Sequence, residues 1–274
     1  MLRKLIKHEF RATAHLMLPL FVLAPVTAIG GNISVKHLME SESNALNIIG
    51  LILLTAFAVA MAAVCIMAVV VMVQRFYKNL LQDEGYIMLT LPVSVHQHIW
   101  SKLIVSIVWF TLSCVIVLLS IFILVYDMGM LREFFHVFDL ILEEISTLRE
   151  SGYLTHMIFI AIELILMLIA GSISSCLHFY TALSMGHSFA KNKMLLSVLL
   201  YFAVSFAMQI INGIVAAFAG NTGLAEYFFD RFVNLQGVAG THPVMIIFIL
   251  YNALFGAILY FLTVFFMKKR LNLE

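Results

Sequence analysis

Six stretches of this chain are each apolar over about the 20 residues that a helix needs to cross the hydrocarbon of a bilayer: Ala14–Gly31, Leu46–Val73, Leu103–Val125, Leu154–Leu177, Met194–Ala219 and Pro243–Met267. Leu, Ile, Met, Ala and Phe dominate them over lengths well beyond a strand. Open sheet edges are not tolerated in lipid, so the pattern predicts an all-α, polytopic membrane protein with six transmembrane helices in a single domain spanning residues 1–274. Only 11% of the residues are charged and 63% are hydrophobic, against about 25% charged in soluble chains. That surface cannot be hidden in one soluble core.

Basic residues set the expected orientation, because cytoplasmic segments close to spans collect Lys and Arg. The N-terminus (Arg3, Lys4, Lys7, Arg11), the second loop (Arg75, Lys78, Lys102), the fourth loop (Lys191, Lys193) and the tail (Lys268, Lys269, Arg270) hold most of them. The other loops hold Lys36, Arg132, Arg149 and Arg231. Both termini are therefore expected in the cytoplasm. Acidic residues gather on the opposite side, so the net charge of +1 conceals two oppositely charged faces, and no nucleic-acid partner is expected. Cys65, Cys114 and Cys176 fall inside predicted spans, which implies neither a disulfide framework nor a metal site. The basic start and apolar run to Ala28 also have the form of a signal peptide, but cleavage would leave five spans and upset the charge pattern.

Residues 1–13 place Leu2, Leu5, Ile6 and Phe10 on one helical face and Arg3, Lys4, Lys7 and Arg11 on the other, as an interfacial amphipathic helix would. A plain basic flank obeying the orientation rule reads equally well. The second helix is expected to run on through Gln74, Arg75 and Lys78 and to stop near Thr90, since Pro92 disfavours the α region at Leu91. Ser94 and Gln97 have capping-box spacing for the start of the third helix, and Trp100 and Lys102 suit an anchor at the interface. In the external loop 127–153, Leu131, Phe134, Phe138, Ile141, Ile145 and Leu148 recur at helical spacing opposite several acids, which predicts an acidic amphipathic helix. The segment Asn221–His242 suits a short re-entrant or interfacial helix.

Polar groups inside the spans are few. Glu163 is the acid well within the fourth, with His156 and Ser174 on the same face, and it is expected either to bond a neighbouring helix or to line a substrate path. Tyr201, Ser205, Gln209 and Asn212 form a stripe on the fifth with the same two readings. Ala170, Gly171, Ser174 and Ser175 suit close helix packing. His96 and His98 flank Gln97, but residues two apart on a helix do not face each other, so a metal site is not expected. Asn32-Ile33-Ser34 matches a glycosylation sequon. No phosphate loop, H-E-x-x-H or G-x-S-x-G stands in a suitable context, so the chain carries no evident ATP site or catalytic centre of its own.

The stretch Asp83–Lys102, DEGYIMLTLPVSVHQHIWSK, resembles the cytoplasmic segment after the second span of ABC-2 type permease subunits. The resemblance rests on Glu84 beside Gly85, the apolar run Ile87–Leu91, Pro92 followed by Ser94, and Lys102 at the mouth of the third span. The six-span layout, the basic amphipathic start and the external segment before the last span are also similar to that family. Tyr86 departs from it, standing where a smaller hydroxyl residue is common, as does the long acidic loop 127–153.

The resemblance implies the ABC-2, type V exporter-like architecture and a coupling segment, 75–102, on which a separate ATPase subunit docks. Asp83, Glu84, Gly85, Tyr86, Pro92 and Lys102 would carry that contact. Glu163, Ser205, Gln209 and Asn212 are candidates for the substrate path. The expected assembly is this chain, a second permease copy or homologue, and ATPase subunits that bind ATP and Mg, in a bacterial plasma membrane. The cargo class it suggests is amphipathic: a lipid-like molecule, a drug or a peptide. Two other classes fit the residues: a proton- or ion-coupled carrier titrating at Glu163, and a membrane scaffold or sensor that transports nothing.

Overall fold

The computed structural model describes residues 2–38, 41, 43–82, 85, 93–126, 153–189, 191–223, 226 and 241–269. Among them are six long helices: α1 Leu2–Ile33, which continues as a π-helical turn Ser34–Leu38, α2 Asn44–Leu80, α3 Val95–Val125, α4 Tyr153–Gly186, α5 Lys193–Asn221 and α6 Thr241–Lys269. All six are long and apolar enough to cross a membrane, which makes this a multi-pass, all-helical membrane protein. The expected helices over 127–153 and 221–242 lie almost wholly outside the described residues.

The helices overrun the apolar stretches at their polar ends. At about 1.5 Å per residue, α2 is about 55 Å long, against about 30 Å of hydrocarbon. The segment 1–13 is not a separate element but the first turns of α1. The expected division of faces is kept: Arg3, Lys4, Lys7 and Arg11 are exposed while Leu2, Leu5, Ile6 and Phe10 are half-buried. Helix α2 ends at Leu80, earlier than Thr90. Gly85 is again helical, and residues 83, 84 and 86–92 lie outside the described residues. Helix α3 starts at Val95, immediately after Ser94.

The chain divides into two compact units, Met1–Arg75 with Gln97–Leu140, and Phe76–His96 with Ile141–Glu274. Helices α2 and α3 pass covalently from one to the other. In the first unit, Met17, Phe21 and Ala24 of α1 meet Val64, Ala68 and Val71 of α2 and Val105 and Trp109 of α3. Alanines at that seam let the helix backbones approach closely, the packing that lipid favours. At the other end of α1, the Asn32 side-chain amide donates to the carbonyls of Leu124 (2.8 Å) and Tyr126 (2.7 Å), and Ser34 donates to the Gly50 carbonyl (2.6 Å). The sequon is thus absorbed into helix packing: its amide caps the end of α3.

In the second unit, α4 and α6 run parallel in one register along their length. Glu163 meets His242, Ser174 donates to the Asn252 carbonyl (2.7 Å), and Thr181 donates to the Leu259 carbonyl (3.0 Å) and meets the Thr263 hydroxyl (2.9 Å). Gly256 permits this approach, since a Cβ there would lie 2.9 Å from the Ser174 hydroxyl. Helix α5 turns back on α4 through Asn192, in the left-handed region at φ 54°, with Gly186 set against Ser197.

Candidate functional site

The segment between α2 and α3 is held at its two stems. Within the second unit, Phe76 stacks on the buried Tyr180 of α4 with ring centroids 4.0 Å apart, and Tyr77 meets His187 edge-on at 5.2 Å. On the α3 side, His96 Nδ1 pairs with the Tyr260 hydroxyl at 2.6 Å, and its Nε2 lies 3.3 Å from Lys268 Nζ. Burial, reinforced by the positive charge of Lys193, holds His187 below its ordinary value of 6.5, against the opposing effect of its hydrogen bond to the Leu183 carbonyl.

Gly85 lies inside the segment, buried, with its amide donating to the Gln82 carbonyl at 2.7 Å. A Cβ at this position would fall 2.6 Å from the Leu80 carbonyl oxygen. The close approach that glycine allows here is to the chain's own α2 terminus. Asp83, Glu84, Tyr86 and Pro92 lie outside the described residues.

Lys102, expected to snorkel at the interface or to face a partner, points inward instead. Its ammonium donates to Glu9 Oε1 at 2.7 Å, and Arg75 Nε donates to Glu9 Oε2 at 2.9 Å. The Lys102 side chain is 1% exposed and that of Glu9 4%, while Arg75 retains 25%. The reason is electrostatic. A carboxylate on an otherwise apolar face of α1 needs a cation within reach, and α2 and α3 each bring one. One helical turn further along α1, Trp109 Nε1 donates to the Thr13 hydroxyl at 2.7 Å, and the Trp109 ring lies 5.9 Å from Phe10 and 5.7 Å from Phe21. Glu9, Thr13, Arg75, Lys102 and Trp109 border a cavity of about 10 Å³, about the space of one water molecule.

The second polar site is on α4 and α6. His242 Nδ1 lies 3.0 Å from both carboxylate oxygens of Glu163, and His242 Nε2 lies 3.0 Å from His156 Nδ1. When Nδ1 of His242 donates to the carboxylate, its Nε2 accepts from His156, which gives an unbroken chain of two hydrogen bonds. Both members of the Glu163–His242 pair are mostly buried, Glu163 13% and His242 17% exposed. Glu163 thus bonds a neighbouring helix, one of the two roles its position allowed, and it does so within a chain of titratable groups.

The other candidates are divided. Ser205 donates to the Tyr201 carbonyl (2.8 Å) and pairs with His178 Nε2 of α4 (3.1 Å), and Asn212 accepts from the Tyr251 hydroxyl of α6. Gln209 is exposed on α5. The Ser205–His178 and Asn212–Tyr251 contacts are interhelical bonds of the kind Ser and Asn commonly make in lipid, and the Ser205–Tyr201 bond lies within α5. Glu9, His242, His178 and Tyr251 were not singled out in the sequence, because their partners lie tens of residues away. The usable signal was that Glu9 is the sole acid before Glu40.

Comparison with protein-family models, curated proteins and solved structures gives no match.

Proposed function

We propose that this chain is the permease subunit of an ATP-driven exporter of the ABC-2 type. A separate ATPase subunit at the cytoplasmic face energises it, and its cargo is amphipathic: lipid-like, drug or peptide. The observation that carries the reading is the segment 75–102 itself. Its sequence resembles the docking segment of that family, and its stems are anchored into both compact units.

Arg75 and Lys102 meet Glu9 in the first unit, while Phe76, Tyr77 and His96 meet α4, the α4–α5 turn and α6 in the second. A displacement of the segment therefore has a rigid path into each. Nucleotide closure in the partner drives the change, and this chain supplies the two-state element that responds to it. A second permease copy completes the pathway, and the bacterial plasma membrane is its setting.

The test is co-purification from membranes with the ATPase chain encoded beside it. The parent protein retains the ATPase, and Asp83→Lys with Glu84→Lys loses it while the variant still inserts in the membrane. Undiminished retention by the charge-reversed protein contradicts the reading.

A second reading, a proton-coupled carrier, is favoured by one observation, the hydrogen-bonded chain Glu163–His242–His156. An intramembrane acid linked to two imidazoles is a fitting proton path. Transport that persists without ATP and disappears in Glu163→Gln would select it.

A further inference from the structure

We propose that Glu9 is a positioning residue that makes α1 follow the coupling segment: it locks α1 and α3 into one rigid pair and holds α2 by a releasable arm. The inference rests on the exporter reading for its consequence, but its geometry stands without it. Glu9 is the single carboxylate shared by Arg75, where α2 leaves the first unit, and Lys102, where α3 has just re-entered it. Both stems of the segment are thus tied to one residue of the N-terminal helix.

The two arms differ. The Lys102 link is sealed, with 1% of the Lys102 side chain exposed. Parting it would strand two charges away from water. The Arg75 link reaches solvent at 25% exposure, so water can take over its hydrogen bonds when the helices shift. A second contact reinforces the sealed arm. Thr13 stands four residues beyond Glu9 and Trp109 seven beyond Lys102, each on the same helix face as its predecessor, and the two are bonded at 2.7 Å. At this end of the helices, therefore, α1 and α3 are keyed at two levels and α2 at one, while at the far end α1 bonds both, Asn32 to α3 and Ser34 to α2. A push on the segment reaches α1 through α3, and α2 swings against that pair at this end by exchanging Arg75 from Glu9 to water, while Ser34 keeps its far end tied to α1.

The test uses Glu9→Met combined with Lys102→Met, which removes both buried charges together and keeps apolar volume in their place. Spin labels at two exposed positions, Lys7→Cys on α1 and Thr111→Cys on α3, in a background with Cys65, Cys114 and Cys176 replaced by alanine, report the pair in purified protein without any partner. The parent gives one narrow distance distribution and the double variant a broadened one. Arg75→Gln leaves the sealed arm intact: the Lys7–Thr111 distribution stays narrow, while Lys7–Ala62, with Ala62→Cys on α2, broadens. An unchanged Lys7–Thr111 distribution in the double variant overturns the proposal. So does an Arg75→Gln protein in which both distances change, or neither.

In proteoliposomes with the ATPase subunit, the double variant moves about tenfold less cargo per ATP hydrolysed than the parent. Cargo per ATP equal to the parent overturns the coupling role. Absence of ATPase binding by the parent overturns the exporter reading alone and leaves the spin-label result to decide the lock.

Discussion

Replacing Glu9 with glutamine should be among the most damaging single changes in this protein. The substitution keeps size and shape but removes the carboxylate, so Lys102, 1% exposed, keeps its charge and loses the carboxylate it donates to, and Arg75 adds a second like charge beside it. Breaking a buried pair by removing one partner costs about 3–5 kcal/mol. The Arg75 share is smaller, about 0–1 kcal/mol, because that guanidinium is a quarter exposed and water screens it. Set against a stability of about 5–15 kcal/mol, the loss lowers the folded-to-unfolded ratio by about two to four orders of magnitude.

Glu9→Met with Lys102→Met behaves in the opposite sense. Replacing a buried pair by apolar side chains of similar volume is often neutral or stabilising, so the double variant falls within about 1 kcal/mol of the parent or above it. The assay is equilibrium unfolding in mixed micelles, followed by fluorescence in a Trp100→Phe background. Trp109 is then the sole tryptophan and sits at the site, bonded to Thr13. A Glu9→Gln protein within about 0.5 kcal/mol of the parent would refute the reasoning. A double variant as unstable as the single one would refute it too.

Gly85→Ala forces a Cβ to within 2.6 Å of the Leu80 carbonyl, a backbone atom that cannot rotate aside, and is expected to destabilise the segment by about 1–3 kcal/mol. Faster amide exchange at residues 80–85 would register it, and parent-like exchange would count against the packing described. His242→Ala strips Glu163 of its partner on α6, and leaving a buried polar group unsatisfied costs about 1–3 kcal/mol. Adding Glu163→Leu should recover part of that loss in the same unfolding assay, and no recovery would mean the pair is not coupled. His187, held low mainly by burial, resists protonation in the folded protein while the unfolded chain takes up a proton near its ordinary value of 6.5. Stability is therefore lost as pH falls below that value, and His187→Gln should flatten the decline; an identical pH profile in parent and variant would remove His187 as a cause.

The spans were legible because lipid allows so few solutions. An apolar run of about twenty residues has to be a helix there, whatever its neighbours do. The ends were less legible, since the polar residues that flank a span carry no such demand. Helix α1 reaches back to Leu2, and α2 stops ten residues short of Thr90. Ser94 marked the start of α3 well, because a capping signal is local.

The polar sites were the least legible. Lys102 looked like an interfacial anchor, as a lone cation at a helix mouth does. Its inward turn depends on Glu9, 93 residues away, which stands among cations in the sequence and passes for part of a charged face. His242 likewise reads as the first turn of a span until α4 and α6 are laid side by side. Pairings of this kind follow from which helices are neighbours, and hydropathy says nothing about that.

The energy source is the claim on which the account turns. Cargo efflux from proteoliposomes holding this chain and the proposed ATPase subunit should be measured with ATP and no proton gradient, then with a gradient and no ATP, for the parent and for Glu163→Gln. Efflux that requires ATP, ignores the gradient and survives Glu163→Gln is the predicted result. Efflux that runs on the gradient alone and is abolished by Glu163→Gln would contradict it.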